Sequence, residues 1–199
     1  MTQPVILASG SKIRAESLRN AGVTFEVDVP RVDEASIKAA MLAEEAPPRD
    51  IADKLAELKS LRISARHPEA LTLGCDQVLV HKGRLFDKPA NRAEAAEHLR
   101  HLNGSSHELL SAAVISEAGR PVWRHIGRAQ LVMRPFSDAF LEDYLDAEGD
   151  EILHCVGAYR LEGRGAQLFS RVQGDYFSVL GLPLLEVLGF LRARKVLIE

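Results

Sequence analysis

The residues best suited to chemistry stand near the start of the chain, where an apolar run gives way to small, polar and basic residues. Residues 5–14 read Val-Ile-Leu-Ala-Ser-Gly-Ser-Lys-Ile-Arg, which predicts a buried strand, a tight turn and the start of a helix. Backbone N–H groups and the positive end of the helix dipole suit such a turn to phosphate. Ser9, Ser11 and Arg14 add donors for a polyphosphate. Ordinary strand–turn–helix connections show the same pattern.

Two carboxylates form a second candidate group. Asp76 interrupts the apolar run 71–80, which predicts a core strand, and a buried acid is costly unless it is paired or bound to a metal. Glu34 ends the segment 31–34, which predicts a loop. Two such carboxylates are the oxygen ligands that Mg²⁺ takes together with substrate phosphates and water. The alternatives are a structural acid at position 76 and a solvated surface acid at position 34.

Two lysines are candidates for positive charge at the same site. Lys59 lies at the edge of the apolar stripe of a predicted helix that follows Pro47-Pro48. Lys88 follows a predicted short strand and precedes Pro89, which restricts its backbone. Most lysines are solvated surface groups, so only a shared cleft with the turn at residues 9–11 gives these two a role at phosphate.

The predicted elements alternate between helix and strand. They are a helix over 12–21, a strand over 24–29, a helix after residue 48, strands over 71–80 and 85–86, a helix over 91–102, a hairpin over 108–116 and 121–134, and helices over 137–145 and 183–194. No repeat or linker divides residues 1–199. We therefore expect one α/β or α+β domain with a mixed sheet.

Composition and charge exclude several classes of function. The net charge of −3, without a basic patch, argues against a nucleic-acid partner. No apolar run approaches the length of a membrane span, and a secretory signal is not evident. Cys75 and Cys155 lie far apart, which fits thiols in a reducing compartment. The expectation is a soluble cytoplasmic protein with no membrane partner.

Several segments together resemble the Maf family of nucleotide pyrophosphatases, over nearly the whole chain. They are residues 7–11 with Arg14, 32–34, 55–56 with Lys59, 74–77, 88–89, 156–159, 162–165 and 179–184. One such segment would be weak evidence for the family, but all of them in order at compatible spacing are strong evidence. The resemblance implies a two-lobed α/β fold similar to that of inosine triphosphatases, with a long mixed sheet and a cleft between the lobes. Dimers occur in the family, which leaves a homodimer open.

The resemblance also implies an activity and assigns roles to the residues named above. Members of the family hydrolyse nucleoside triphosphates to the monophosphate and pyrophosphate with Mg²⁺ or Mn²⁺. Asp76 matches the proton acceptor, and Lys59 and Lys88 match cations of the active site. Ser9, Ser11 and Arg14 match the polyphosphate loop. Glu34 matches an acid linked to metal or water, with Asp76 as the second metal ligand.

Three positions separate two branches of the family by substrate. One branch, the dTTP/UTP pyrophosphatases, carries arginine, threonine and glutamine; the other, the 7-methyl-GTP pyrophosphatases, carries tryptophan, glutamine and glutamate. This chain has Ile13, Gln77 and Glu162, so two of the three match the 7-methyl-GTP branch and Ile13 matches neither. The carboxylate of Glu162 suits the N1–H and 2-amino donors of guanine and repels the carbonyl oxygens of uracil or thymine.

These observations lead to one principal hypothesis and two alternatives. The principal hypothesis is a metal-dependent pyrophosphatase that removes modified nucleotides, above all 7-methyl-GTP. The first alternative keeps the chemistry and changes the substrate to dTTP or UTP. The second is a nucleotide-binding regulator of cell division without turnover, because the family has been linked to septum formation. The presence of Asp76, Lys59, Lys88 and Glu34 together argues against a protein that only binds.

Overall fold

A computed structural model describes residues 3–198 of the protein. Within them the chain forms seven strands and seven α-helices. The strands are β1 (Val5–Ala8), β2 (Glu26–Val27), β3 (Leu71–His81), β4 (Arg84–Phe86), β5 (Ser106–Glu117), β6 (Arg120–Met133) and β7 (Phe169–Gln173). The helices are α1 (Lys12–Asn20), α2 (Glu34–Ala43), α3 (Pro48–Ser64), α4 (Arg92–Leu102), α5 (Asp138–Glu148), α6 (Tyr176–Val179) and α7 (Leu184–Ala193). None of these helices combines the length and the apolar character needed to cross a bilayer.

All seven strands join one mixed sheet. Six of them follow the order β2-β1-β3-β5-β6-β7, and β4 pairs with β3. The pairs of β1 with β2 and with β3 are parallel, whereas the pairs of β3 with β5, β5 with β6 and β6 with β7 are antiparallel. The predictions of a mixed α/β sheet, of a strand over 71–80 and of a hairpin around Gly119 are confirmed.

The edge of β3 opposite β5 is interrupted in its middle. Strand β5 pairs with β3 continuously from Thr72 to Val80, so β1 and β4 must share the other edge. On that edge β1 pairs with Leu71–Gly74, and β4 pairs with Leu79–His81. Residues 75–78 therefore have no strand partner there among the described residues. We call this stretch of β3 the waist, and Asp76 lies within it.

The waist also separates two apolar cores on one face of the sheet. One core packs α1 and α7 against the first half of β3, including Leu73. The other packs α4 and α5 against the second half, including Leu79. Between them, on the same face, lie the polar side chains of Gln77 and Ser111. The two cores correspond to the two expected lobes, and the long strands run through both.

The opposite face of β3 is covered by α3 at very short range. A side chain at Gly74 would clash with the carbonyl oxygen of Ala56 and lie 2.6 Å from the nitrogen of Ser60. Only glycine therefore lets the helix approach the strand this closely. Lys59 lies between Ala56 and Ser60 on the helix, and Asp76 lies two residues beyond Gly74 on the same face of the strand. The close approach brings these two charged side chains together.

The sequence prediction missed two α-helices, α2 and the short α6. Segment 31–34 was expected to be a loop, but Glu34 begins α2, and Asp33 caps it by accepting a hydrogen bond from the Ser36 nitrogen at 3.1 Å. None of the residues of α2 is buried, so the helix shows no strong apolar stripe that a periodicity argument would detect. The strand expected over 24–29 is shorter too, covering only Glu26–Val27.

Replacing Gly74 with alanine tests the contact between α3 and β3. The added methyl group meets helix backbone, which cannot rotate away, so we expect Gly74→Ala to lower the free energy of unfolding by about 1–3 kcal/mol. Urea unfolding measures this change. The matched control is Gly189→Ala on α7, where the nearest atom to the new methyl is 4.0 Å away and alanine favours the helix. Equal stabilities of the two variants would contradict the close approach.

Candidate active site

The turn after β1 is held against the waist by Arg14. The hydroxyl oxygen of Ser9 accepts hydrogen bonds from the Ser11 nitrogen and from Arg14 Nη1, both at 3.3 Å. Arg14 Nη1 also donates to the carbonyl oxygen of Cys75 at 2.9 Å, and Arg14 Nε donates to that of Gly181 at 2.8 Å. The Cys75 carbonyl is available because no strand pairs with the waist on this edge. The predicted phosphate turn thus lies next to Asp76.

Lys59 joins the two candidate carboxylates. Its Nζ donates to Asp76 Oδ1 at 2.7 Å and to Glu34 Oε2 at 2.9 Å. The side chains of Lys59 and Asp76 are each 10% exposed, whereas that of Glu34 is 50% exposed. The charged group therefore reaches from the sheet to the surface and is open to solvent at the Glu34 end. Asp76 is not sealed within the core.

Burial dominates the acidity of Asp76. The loss of water around its carboxyl raises the pKa, and the positive charges of Lys59 and Arg14 oppose this shift without cancelling it. A raised pKa makes the carboxylate a stronger proton acceptor than an ordinary aspartate. Burial also raises the pKa of the neighbouring Cys75 thiol, to about 11. The thiol is therefore protonated at neutral pH.

Gln77 and Ile13 do not join this group. Gln77 follows Asp76 on the strand, so its side chain points to the opposite face of the sheet. There its amide nitrogen donates to Ser111 Oγ and to the carbonyl oxygens of Ser178 and Val179. Ile13 is half-buried on α1, one residue before Arg14.

Glu162 and Lys88 lie around Cys155. Burial raises the pKa of the Cys155 thiol to about 11, and the charges of Glu162, Arg160 and Lys88 also act on it. Glu162 Oε1 accepts a hydrogen bond from Arg160 Nε at 3.3 Å. Lys88 is exposed and forms no ion pair with Asp76 within residues 3–198. A convergence of Lys88 and Asp76 stays a prediction.

Glu148 organises the segment that carries Glu162, and the sequence prediction missed it. Its side chain is only 6% exposed. Its carboxylate accepts hydrogen bonds from the Arg164 nitrogen at 3.0 Å and from Arg160 Nη1 at 3.4 Å. Arg160 therefore contacts both Glu148 and Glu162. Glu148 is the last residue of α5, and in the sequence it resembles an ordinary solvated acid. The sequence pattern therefore does not indicate that it binds Arg160 and the Arg164 nitrogen.

The donor set fits a divalent cation that arrives with its substrate. Among residues 3–198, no group of three or more His, Cys, Asp or Glu side chains is arranged to hold a metal ion. Glu34 and Asp76 nevertheless offer carboxylate oxygens that meet at Lys59. One or two carboxylates completed by phosphate oxygens and water are an ordinary environment for Mg²⁺. The residues fit such an ion but do not form a cage of their own.

A separate groove lies far from these residues. It has a volume of about 750 Å³ at the amino end of β1, and Val5, Phe25 and Leu188 are among its lining residues. None of the site residues named above lines it. Its wall is largely apolar, which does not suit a polyphosphate.

Comparison with known proteins identifies the family. Residues 4–194 match the family described as Maf-like protein. The chain is 57% identical over 197 residues to a protein of Ruegeria pomeroyi named nucleoside triphosphate pyrophosphatase, with 99% of each chain covered. Proteins of the same name from Roseobacter denitrificans (55% identical, 98% of each chain) and Hyphomonas neptunium (51%, 99% of each chain) are also similar. The chain belongs to the Maf family, which confirms the resemblance.

The raised pKa of Asp76 predicts how stability depends on pH. Asp76 ionises more easily in the unfolded chain than in the folded protein, so its charge lowers the free energy of unfolding as the pH rises above 3.8, its ordinary pKa. Asp76→Asn removes that charge, and Glu34 still pairs with Lys59. We expect the variant to be more stable near neutral pH by on the order of 1 kcal/mol.

Chemical denaturation in the presence of EDTA, at several pH values, measures this difference. The gain should shrink as the pH falls and vanish where the carboxyl is protonated in both states. A stability difference that does not change with pH, or that moves against the variant as the pH rises, would show that the pKa of Asp76 is not raised.

Proposed function

We propose that the protein is a nucleoside triphosphate pyrophosphatase, which converts its substrate to the monophosphate and pyrophosphate. The names of the relatives support the proposal. The observation that carries it is the 2.7 Å pair of Asp76 and Lys59 next to the Ser9–Arg14 turn. A general base and a phosphate-binding turn side by side are the two parts that hydrolysis of a polyphosphate needs.

The reaction is attack by water on the α-phosphorus. The water oxygen forms a bond to phosphorus, and the bond from phosphorus to the oxygen that bridges the α- and β-phosphates breaks, releasing pyrophosphate. Asp76 accepts the proton that the water loses. Lys59 keeps the Asp76 carboxylate in place and, with Arg14, adds positive charge where negative charge develops. Lys88, on the second lobe, is the further cation assigned to the leaving pyrophosphate.

A divalent cation, Mg²⁺ or Mn²⁺, supplies positive charge at the phosphate oxygens when it is bound. Glu34 and Asp76 are the residues that would hold it. Lys59 takes one oxygen of each carboxylate, Asp76 Oδ1 and Glu34 Oε2. The second oxygen of each carboxylate is left for the cation.

For the base, we propose 7-methyl-GTP as the preferred substrate. Arg160 Nε uses Oε1 of Glu162, so Oε2 remains for the donors of guanine. The arginine also fixes the orientation of the carboxylate, which favours a defined hydrogen-bonding direction. Ile13 offers an apolar side chain to the base but lacks the aromatic ring that would attract its positive charge, worth roughly 0.5–2 kcal/mol. The alternative substrates are dTTP and UTP.

Compartment, assembly and domain organisation stay predictions. Cys75 and Cys155 are both free thiols, which supports a reducing compartment such as the cytoplasm. A homodimer is the assembly that the family suggests. A single domain over residues 1–199 is supported by the one sheet that links both cores.

Replacing the proposed base tests the activity. We expect Asp76→Asn to lower kcat by at least about 10²–10³, because it removes the proton acceptor, while nucleotide binding persists through Ser9 and Arg14. Pyrophosphate release with Mg²⁺ gives the rate, and calorimetry gives the binding. Asp150→Asn, an exposed position, is the matched control. Full activity of Asp76→Asn would remove this residue from the role.

Glu162→Gln tests how the base is selected. An amide presents one donor and one acceptor, which suits uracil better than guanine. We expect the ratio of kcat/KM for UTP to that for 7-methyl-GTP to rise about tenfold or more. Glu97→Gln, exposed on α4, controls for the loss of a surface charge. An unchanged ratio would count against Glu162 as the base-reading residue.

A further inference from the structure

The amide nitrogen of Gln77 is fully engaged within the protein. Its Nε2 donates to Ser111 Oγ at 2.9 Å, to the Val179 carbonyl oxygen at 3.0 Å and to the Ser178 carbonyl oxygen at 3.1 Å. An amide nitrogen carries two hydrogens, so these three acceptors use its whole donor capacity. Nothing remains at this nitrogen for a nucleobase, and the side chain lies on the face of the sheet opposite Asp76.

Two of the three acceptors of Gln77, the carbonyl oxygens of Ser178 and Val179, belong to a tight turn, residues 178–181. Its Ser178 nitrogen donates to Asp175 Oδ1 at 2.9 Å, and the Gly181 nitrogen donates to the Ser178 carbonyl oxygen at 3.1 Å. Gly181 has a φ of +93°, which glycine adopts without strain. Ser111 Oγ adds a hydrogen bond of 2.7 Å to the same Ser178 oxygen. The side chains of Gln77 and Ser111 therefore hold the turn against the sheet at the waist.

The far end of this turn holds Arg14. The Gly181 carbonyl oxygen accepts the hydrogen bond from Arg14 Nε at 2.8 Å. A side chain at Gly181 would lie 3.1 Å from Arg14 Nη2, so the guanidinium rests directly on the turn. Arg14 Nη1 then reaches Ser9 Oγ and the Cys75 carbonyl oxygen. A continuous chain of hydrogen bonds runs from Gln77 through the turn to the phosphate-binding residues.

We propose that Gln77 is a positioning residue for phosphate binding and catalysis: it holds turn 178–181, which orients Arg14 toward the polyphosphate. The inference rests on the proposed pyrophosphatase function and specifies how its phosphate site is built. Gln77 acts on the part that every nucleoside triphosphate shares. Its loss therefore lowers the reaction of all nucleotides alike and leaves the choice of base unchanged.

A double-mutant cycle with Arg14 tests the proposal. Gln77→Met keeps the length of the side chain and removes the amide. We expect it to lower kcat/KM by roughly tenfold to a hundredfold, as small misplacements of a catalytic group do. The loss should be the same, within about twofold, for 7-methyl-GTP, GTP, UTP and dTTP. In an Arg14→Lys background, which lacks the guanidinium, adding Gln77→Met should change kcat/KM by less than about twofold.

Two further variants make the result decisive. Gln130→Met, an exposed glutamine on β6, should keep wild-type activity. If Gln77→Met fails to fold, Gln77→Glu replaces it, because the carboxylate is similar in shape and cannot donate to the two carbonyl oxygens. Thermal unfolding of each variant shows that the comparison is made between folded proteins.

The outcomes distinguish a failure of the positioning role of Gln77 from a failure of the proposed pyrophosphatase function. A change of more than about tenfold in the ratio between bases would make Gln77 a base-contacting residue and overturn the proposal. Losses that multiply in the double variant would show that Gln77 acts independently of Arg14, which also overturns it. No pyrophosphate release from the wild-type protein with any of the four nucleotides would overturn the proposed function itself, and the positioning role with it.

Discussion

The buried pair of Asp76 and Lys59 is the interaction on which the rest of the structure depends. An isolated carboxylate in the middle of a sheet is strongly unfavourable, and a cation at 2.7 Å makes it tolerable. Lys59 reaches that position because α3 lies against β3 at Gly74, where no side chain intervenes. The pKa of Asp76 remains raised in spite of Lys59. The fold therefore keeps a reactive group at some expense of stability, as functional sites often do.

The second constraint is the interruption of the sheet at residues 75–78. Strands β1 and β4 flank the same edge of β3 and leave the waist unpaired between them. One face of the waist carries Asp76, and the other carries Gln77 between two apolar cores. The carbonyl oxygen of Cys75 accepts a hydrogen bond from Arg14, which brings the turn at residues 9–11 to the same place. The candidate site thus lies where the two lobes meet, with Asp76 on one face of β3 and Gln77 on the other.

The sequence contained enough information for the fold class and for a buried acid at position 76, but not for the geometry around it. An acid within an apolar run is visible in any strand prediction, and the hairpin around Gly119 follows from local patterning. Helix α2 was not predicted, because it buries no residue and so lacks a buried apolar stripe. The contacts that build the site join residues far apart, such as Arg14 with Gly181, 167 positions away. Local periodicity carries no information on such pairs, and it cannot show that Glu148 is buried against Arg160.

The most direct measurement is a crystal structure with Mg²⁺ and a non-hydrolysable nucleoside triphosphate in which nitrogen replaces the oxygen between the α- and β-phosphates. We expect the α-phosphate beside the Asp76 carboxyl and Lys59, with the rest of the triphosphate against Ser9 and Arg14. A triphosphate bound elsewhere, for example in the groove at the amino end of β1, with the Asp76–Lys59 pair undisturbed and remote from phosphorus, would contradict it.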